Sequence, residues 1–124
     1  MEFIESPAFT QHNSDYLTDD EYRKLQTELA GNPELGDLMP GTGGFRKLRW
    51  ADPRRGKGRR GGLRIIYYYF LSDQQIWLMT LYGKDEAADL TPKEKKILKD
   101  AVEAELKARE ATQAARKSRS RRKW

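Results

Sequence analysis

The chain has 124 residues, enough for one domain with its own core but not for two, and its 37% hydrophobic and 35% charged residues exclude wholesale disorder. The longest apolar run, residues 63–71, contains Arg64 and is too short to cross a bilayer as a helix, and the absence of cysteine excludes disulfides and thiol chemistry. Because no export signal opens the sequence, we expect a cytoplasmic protein without a membrane partner.

The net charge of +5 is concentrated in two basic blocks. Residues 116–123 hold six basic residues, and residues 54–60 hold five, namely Arg54, Arg55, Lys57, Arg59 and Arg60. Subtracting these 11 from the 24 Lys and Arg leaves 13 against 19 Asp and Glu, a net charge of −6 for the remainder. Basic blocks on an acidic body predict a polyanionic partner such as nucleic acid. For the C-terminal block at residues 116–123 alone, a merely solubilising role is equally compatible with the sequence.

The first half of the sequence predicts an edge strand and a helix. "EFIE" near the start has the composition of a short strand. Thr18 followed by Glu21 forms a capping box, which predicts a helix over residues 19–30. The helical spacing of Tyr22, Leu25 and Leu29 gives this helix one apolar stripe.

The middle of the sequence predicts three strands. "FRKLRWA", "LRIIYYYFL" and "QIWLMTLY" are rich in aromatic and β-branched residues, and "SDQ" is a short hairpin connection between the last two. "GTGG" at residues 41–44 lacks the Lys-Ser/Thr ending of a phosphate loop and predicts a tight turn into the first of these strands. The three strands form an antiparallel meander.

The last third of the sequence predicts a capped helix and a tail. Thr91, Pro92 and Glu94 form a second helix start. One apolar face follows, made of Ile97, Leu98, Ala101, Val102 and Leu106. We expect residues 1–110 to be one domain and residues 111–124 a frayed or disordered basic tail, since the apolar face ends near residue 111. The predicted fold is α+β: a small antiparallel meander sheet with an N-terminal edge strand, N-terminal helices packed on one face and a C-terminal helix.

Several catalytic schemes do not fit the sequence. His12 is the single histidine, so neither a two-histidine ribonuclease nor a two-histidine zinc site can form within one chain, and we expect it on the surface. "GKGRRG" matches a dinucleotide-binding pattern by chance, because a strand follows it where that site needs a helix. We therefore expect neither a metal nor a cofactor.

The remaining candidates are cationic. Strand alternation puts Lys47 and Arg49 on one face, while Arg64 enters the next strand and Lys84 follows the third. Each of these residues alone is most simply a solvated surface residue. Together with the basic loop at residues 54–60, they predict a phosphate-binding face.

These segments resemble the RelE/ParE superfamily of bacterial toxins, most closely its HigB-type branch. The resemblance rests on the order "GTGGFRKLRWA", basic loop, "GGLRIIYYYF", "LMTLYGKDEAADLT" and C-terminal helix, and it covers about residues 3–106. It implies a RelE-like fold and a toxin of a type II toxin–antitoxin system. Such a toxin is an mRNA interferase, an endonuclease that cuts mRNA on the ribosome and inhibits translation, and a cognate DNA-binding antitoxin similar to HigA neutralises it. The resemblance also implies that Lys47, Arg49 and Arg64 serve RNA cleavage.

A metal-independent mechanism fits these residues: the RNA 2′-hydroxyl attacks the adjacent phosphate and leaves a cyclic phosphate and a free 5′-hydroxyl. Arg49 and Arg64 would stabilise the negative charge on phosphorus. Lys47 or Lys84 would exchange protons, and Tyr82 would position or protonate a leaving oxygen unless it is a structural tyrosine. The general base stays open, because Thr91 stands where RelE carries a catalytic tyrosine and Asp85 where RelE carries an arginine.

The position of Arg64 and the function both have alternatives. Gly61 and Gly62 predict an open strand entrance where Arg64 meets solvent or RNA, although a structural ion pair with a buried carboxylate is the other interpretation. For function, a ParE-type inhibitor of DNA gyrase has the same fold. A non-catalytic basic protein that binds RNA or the ribosome fits the charge distribution equally well.

Overall fold

Five strands form one sheet in the computed structural model, which describes residues 1–52, 62–87 and 89–122. The elements in chain order are β1 (Glu2–Glu5), α1 (Pro7–Tyr16), α2 (Asp19–Gly31), β2 (Asp37–Leu38), β3 (Arg46–Trp50), β4 (Leu63–Phe70), β5 (Gln75–Gly83) and α3 (Pro92–Arg122). The strands lie in the order β1-β5-β4-β3-β2. The α+β class, the N-terminal strand at the sheet edge, the N-terminal helices and the C-terminal helix are as predicted.

The predicted meander is confirmed, but the sheet as a whole is mixed. β3, β4 and β5 pair antiparallel in sequence order. β1 joins β5 in parallel at the sheet edge, a direction that the sequence did not predict. The reason is the connection: β1 enters the sheet beside the last strand, with two helices before β2, and a parallel pair needs such a long crossover. The two-residue β2, which was not predicted, pairs with β3 at the other edge.

The two N-terminal helices cover one face of the sheet. α2 begins at its Thr18 cap, whose hydroxyl accepts a hydrogen bond from the Glu21 amide at 3.2 Å, as predicted. α1 begins the same way, with Ser6 as cap and Pro7 at the first helical position. The core on this face is formed by Phe9, Leu17, Leu25, Leu29, Leu48, Trp50, Leu63, Ile65, Tyr67, Ile76, Leu78 and Leu81.

α3 covers the opposite face and is longer than predicted. Leu98 and Val102 pack there with Met39, Phe45, Ile66 and Phe70. Two members of the predicted apolar face are exposed, Ile97 at 59% and Leu106 at 38%, so the buried stripe is narrower than expected. Residues 111–122, which the sequence predicts as a frayed or disordered tail, continue the helix to Arg122. Residues 110–122 contain neither Gly nor Pro and are rich in Ala, Gln, Lys and Arg, which favour helix without any packing.

Two loops place β3 for its role in the site described below. Gly41, Gly43 and Gly44 all have positive φ, which confirms the predicted tight turn before β3. On the other side, the Gly36 amide donates to the Tyr67 hydroxyl at 2.9 Å, and a Cβ at Gly36 would lie 3.0 Å from the Tyr67 ring and 3.1 Å from the Lys47 backbone. This close approach holds β2 beside Lys47.

Candidate phosphate-binding site

The strand register aligns three of the predicted site residues. Arg49 of β3 lies opposite Arg64 of β4, and Arg64 lies opposite Tyr82 of β5. Residues directly opposite each other in antiparallel strands point to the same face, with Cα atoms about 4.5 to 5.5 Å apart. We call this line of three side chains the Arg49–Arg64–Tyr82 row. Lys47 lies on the same face, two residues before Arg49, while Leu48 and Trp50 are buried in the opposite core, as the alternation predicts.

Arg64, at the centre of the row, is buried rather than open to solvent. Its side chain is 5% exposed, so the expectation of an open strand entrance is wrong, and its Nη1 donates to the Leu63 carbonyl at 3.1 Å. β4 is central in the sheet, so Arg49 on β3 and Tyr82 on β5 flank the Arg64 side chain on the same face. Burial, and then the positive charge of Arg49, lower the pKa of Arg64, whereas Tyr82 opposes that shift.

Tyr82 completes the row with a buried hydroxyl. Within residues 1–52, 62–87 and 89–122 this hydroxyl has no hydrogen-bond partner. Burial raises the pKa of Tyr82, as does the nearby Asp89 carboxylate, although Arg64 lowers it. The phenol therefore stays protonated at neutral pH, and it can donate a hydrogen bond or a proton but not act as the base.

An ion-paired carboxylate lies beside the row. The Asp89 carboxylate contacts the Lys47 Nζ at 3.6 Å and the Lys95 Nζ at 3.5 Å. Its partial burial raises the pKa of Asp89, but the Leu90 amide and the two lysines together outweigh burial and hold that pKa below its ordinary value. Sequence reasoning missed Asp89 and Lys95. The available signal was their position at the start of α3, in the segment that follows the third strand and Lys84.

A cleft of about 200 Å³ adjoins this ion pair. β2 and the residues that follow it form one wall, and cationic residues form the other. The lining consists of Asp37, Leu38, Met39, Pro40, Lys47, Arg49, Asp89 and Lys95. Arg49 is exposed and Lys47 is half-buried, so both side chains are accessible to a ligand from the cleft. The lining carries three cations, Lys47, Arg49 and Lys95, against two carboxylates, Asp37 and Asp89, and this small excess of positive charge in an open pocket is compatible with an anionic group such as a phosphate.

The other predicted site residues are less closely connected to the row. Lys84 directly follows β5, its amide donates to the Gly62 carbonyl at 2.9 Å, and its side chain is exposed. It lies at the same end of the sheet as Arg64, but no hydrogen bond or ion pair within the described ranges joins its side chain to the row. The predicted RNA-binding residues lie outside the described residues; they are Arg54, Arg55, Lys57, Arg59 and Arg60.

Thr91 is engaged as a helix cap. Its hydroxyl accepts from the Glu94 amide at 3.2 Å, and its own amide donates to the Glu94 carboxylate at 2.9 Å. This reciprocal pair confirms the predicted capping box at the start of α3. The predicted surface position of His12 is confirmed as well, with its side chain 51% exposed on α1.

Three further findings bear on function. In the parts of the chain that the structure describes, no group of three or more His, Asp or Glu side chains is placed to hold a metal ion. No helix there combines the length and apolarity that a membrane crossing requires. Comparison of the sequence with models of known protein families gives no match.

Proposed function

We propose that this protein is the toxin of a type II toxin–antitoxin system and acts as a metal-independent endoribonuclease that cuts mRNA on the ribosome. The proposal joins the resemblance to HigB-type RelE/ParE toxins with the geometry of the Arg49–Arg64–Tyr82 row. It places the protein in the cytoplasm, with the ribosome and mRNA as partners and a HigA-like antitoxin as inhibitor.

The proposal rests on the buried Tyr82 hydroxyl. This hydroxyl has no hydrogen-bond partner in the described residues, and it lies in one row with the guanidinium groups of Arg64 and Arg49. More than nine in ten buried polar groups in proteins have a partner, so such a hydroxyl needs an explanation. Arg49 and Arg64 repel each other, and the sheet holds them side by side against that repulsion. A phosphate between them would accept hydrogen bonds from all three side chains and neutralise the repulsion.

These groups suit cleavage by the RNA's own 2′-hydroxyl. As the bond between O2′ and phosphorus forms, the proton of the 2′-hydroxyl passes to solvent water. The bond from phosphorus to O5′ breaks, O5′ takes up a proton, and the products are a cyclic phosphate and a 5′-hydroxyl. Arg49 and Arg64 stabilise the additional negative charge that phosphorus carries in the transition state, because the protein has oriented their donors in advance. Tyr82, protonated at neutral pH, donates to the departing O5′. Lys47 adds a positive charge at the rim, and the ribosome positions the mRNA.

The decisive experiment compares Tyr82→Phe with the wild-type chain. Each is expressed in bacteria without an antitoxin, and the 5′ ends of cellular transcripts are mapped. We expect the wild type to produce new 5′ ends at fixed positions within codons and to arrest growth. We expect Tyr82→Phe to lose at least about 100-fold in cleavage, the range for removal of a general acid or a transition-state donor.

Tyr69→Phe is the matched control, because it removes a hydroxyl from the neighbouring strand β4, where the Gln74 side chain donates to it at 3.4 Å. We expect this variant to cleave like the wild type. Growth arrest without new 5′ ends would contradict the nuclease and point to a gyrase inhibitor. Binding to ribosomes with neither arrest nor cleavage would point to a non-catalytic protein.

A further inference from the structure

α3 extends past Arg109, where Thr112, Gln113 and Arg116 line a cleft of about 340 Å³ with Ile4, Asp73 and Gln75. Its last anchor is Arg109, whose guanidinium lies 3.8 Å from the centre of the Phe70 ring and donates to Gln75 at 2.6 Å and Glu105 at 2.9 Å. It also donates to Asp73 in the β4–β5 connection. Every side chain from residue 110 to residue 119 is exposed. We call residues 110–122 the α3 extension; at 1.5 Å per residue it is about 18 Å long.

The α3 extension carries more positive charge than a helix end requires. It contains one acidic residue, Glu110, and five basic ones, Arg116, Lys117, Arg119, Arg121 and Arg122, a net charge of +4. The helix dipole places only about half a negative charge at this end. Beyond that, like charges three or four residues apart, such as Arg116 and Arg119, destabilise a helix by about 0.2 to 0.5 kcal/mol per pair. Helix stability alone therefore does not account for this sequence.

The composition also argues against an apolar partner. Alanine is the largest apolar residue in the α3 extension, so it lacks the aromatic or aliphatic anchors that dominate protein interfaces. At about 100° per residue, Arg116, Lys117 and Arg119 spread over about 160° of the helix circumference. A nucleic acid, whose two strands can flank a helix with phosphates, matches this spread better than a flat acidic protein surface does.

We propose that the α3 extension is a second RNA-binding element, which contacts the phosphate backbone of structured RNA. α3 begins beside Lys47 and reaches Arg109 about 25 Å further along the helix, so the extension leaves the body at the opposite end of the sheet from the row. A phosphate in the row and phosphates on the extension therefore belong to different parts of a large RNA. The choice of RNA rests on the proposed function, but the phosphate contact requires no cleavage.

The test measures binding of the full chain to a 2′-O-methylated RNA duplex, which has no 2′-hydroxyl to attack, so that its outcome does not depend on the nuclease activity. The variant Arg116→Gln/Lys117→Gln/Arg119→Gln removes three cations. We expect its Kd near 0.1 M salt to be about tenfold weaker or more than that of the wild type. The slope of log Kd against log salt should fall by about 2 to 3.

The matched control, Arg23→Gln/Lys24→Gln/Lys93→Gln, removes the same charge from exposed positions on α2 and at the start of α3. We expect this control to keep most of the affinity and of the slope, and both variants to keep the wild-type Tm. An equal loss of affinity in the two variants would overturn the proposal, since only net charge would then matter. Unchanged RNA binding by the extension variant would also overturn it and leave an acidic protein as the partner. A lower Tm confined to the extension variant would assign the cations a structural role instead.

Discussion

At the residue scale, the fold buries two polar groups, the Arg64 guanidinium and the Tyr82 hydroxyl, and such burial is unfavourable for folding. Burial and Arg49 lower the pKa of the Arg64 guanidinium, which means that the folded protein destabilises its charged form. The Tyr82 hydroxyl is buried without a hydrogen bond from the described residues. Groups whose pKa is shifted by burial and by neighbouring charges are candidates for function, because active sites shift pKa values in this way.

Replacement of Arg64 separates its effect on stability from its effect on cleavage. We expect Arg64→Met to stay folded, because an apolar side chain of similar length fills the same buried space. The same variant should lose cleavage. Arg64→Lys should lose most of it, since a single ammonium cannot donate to two phosphate oxygens in the planar geometry of a guanidinium. Thermal unfolding and 5′-end mapping measure the two effects.

Arg46→Met is the control for the Arg64 variants, because Arg46 lies on the same strand as Arg49 but donates to the carbonyls of Glu34 and Gly36. We expect it to lower Tm and to leave cleavage in place in the protein that remains folded. If instead Arg64→Met were destabilised by about 3 to 5 kcal/mol, Arg64 would be the partner of a buried carboxylate, and its lost activity would follow from unfolding.

At the element scale, local patterns predicted the parts of the fold that local interactions determine. From Ile65 to Phe70 the β4 segment is continuously β-branched or aromatic, and the two capping boxes start helices at the predicted residues. The parallel pairing of β1 and the two-residue β2 depend on contacts between distant segments, which no window of sequence contains. The length of α3 was missed because the prediction required an apolar face, whereas the helix propensity of residues 110–122 is sufficient once Arg109 has anchored the preceding turns.

The candidate site likewise has parts that local sequence patterns determine and parts that depend on contacts between distant segments. Alternation within β3 placed Lys47 and Arg49 on one face, and the hairpin register aligned Arg64 with Tyr82. The ion pair of Asp89 with Lys47 and Lys95 was not predicted, because Asp89 reaches Lys47 only after α3 packs on the sheet.

The capping box of α3 gives a prediction at this scale. Thr91→Ala removes the hydroxyl that accepts the Glu94 amide, and we expect it to reduce the free energy of unfolding by about 1 kcal/mol. Thr112→Ala is the control, because the Thr112 hydroxyl only donates to a carbonyl one turn back within α3, and alanine is the better helix former. It should be neutral or slightly stabilising in urea denaturation. Equal effects of the two variants would contradict a specific capping role.

Glu94 adds a pH dependence to the same cap. Its hydrogen bonds with Thr91 lower the pKa of Glu94 below its ordinary value. A carboxyl with a lowered pKa stabilises the fold above its unfolded pKa of about 4.3, and the contribution disappears as the pH falls through the folded pKa. Glu94→Gln can still accept from the Thr91 amide but does not titrate. Between pH 7 and pH 3 we therefore expect the wild type to lose more stability than Glu94→Gln, measured by urea denaturation. A larger loss in the variant would contradict this assignment.

At the scale of the whole molecule, the positive charge is concentrated in two basic blocks, residues 54–60 and 116–123, while the rest of the chain is acidic. The body outside the two basic blocks has a net charge of −6, which repels nucleic acid in general. The basic loop at residues 54–60 is joined to the described structure at Asp52, two residues after β3, and at Gly62, directly before β4. Both connections are at the Arg49–Arg64 end of the sheet. Asp52 and Gly62, the described residues on either side of this basic block, therefore both lie at the end of the sheet that carries the row.

This placement predicts how the complete protein responds to salt. We expect the variant with Arg54, Arg55, Arg59 and Arg60 all replaced by Gln to bind ribosomes more weakly, because each cation that neutralises a phosphate releases a counterion on binding. In co-sedimentation at a series of salt concentrations, the slope of log affinity against log salt should fall by about 3 to 4. The control removes four exposed cations from the helices, Arg23, Lys24, Lys93 and Lys107, and should keep the wild-type slope. An unchanged slope in the variant of residues 54–60 would contradict this prediction. An equal fall in the control would mean that the ribosome responds to overall charge and not to these four cations.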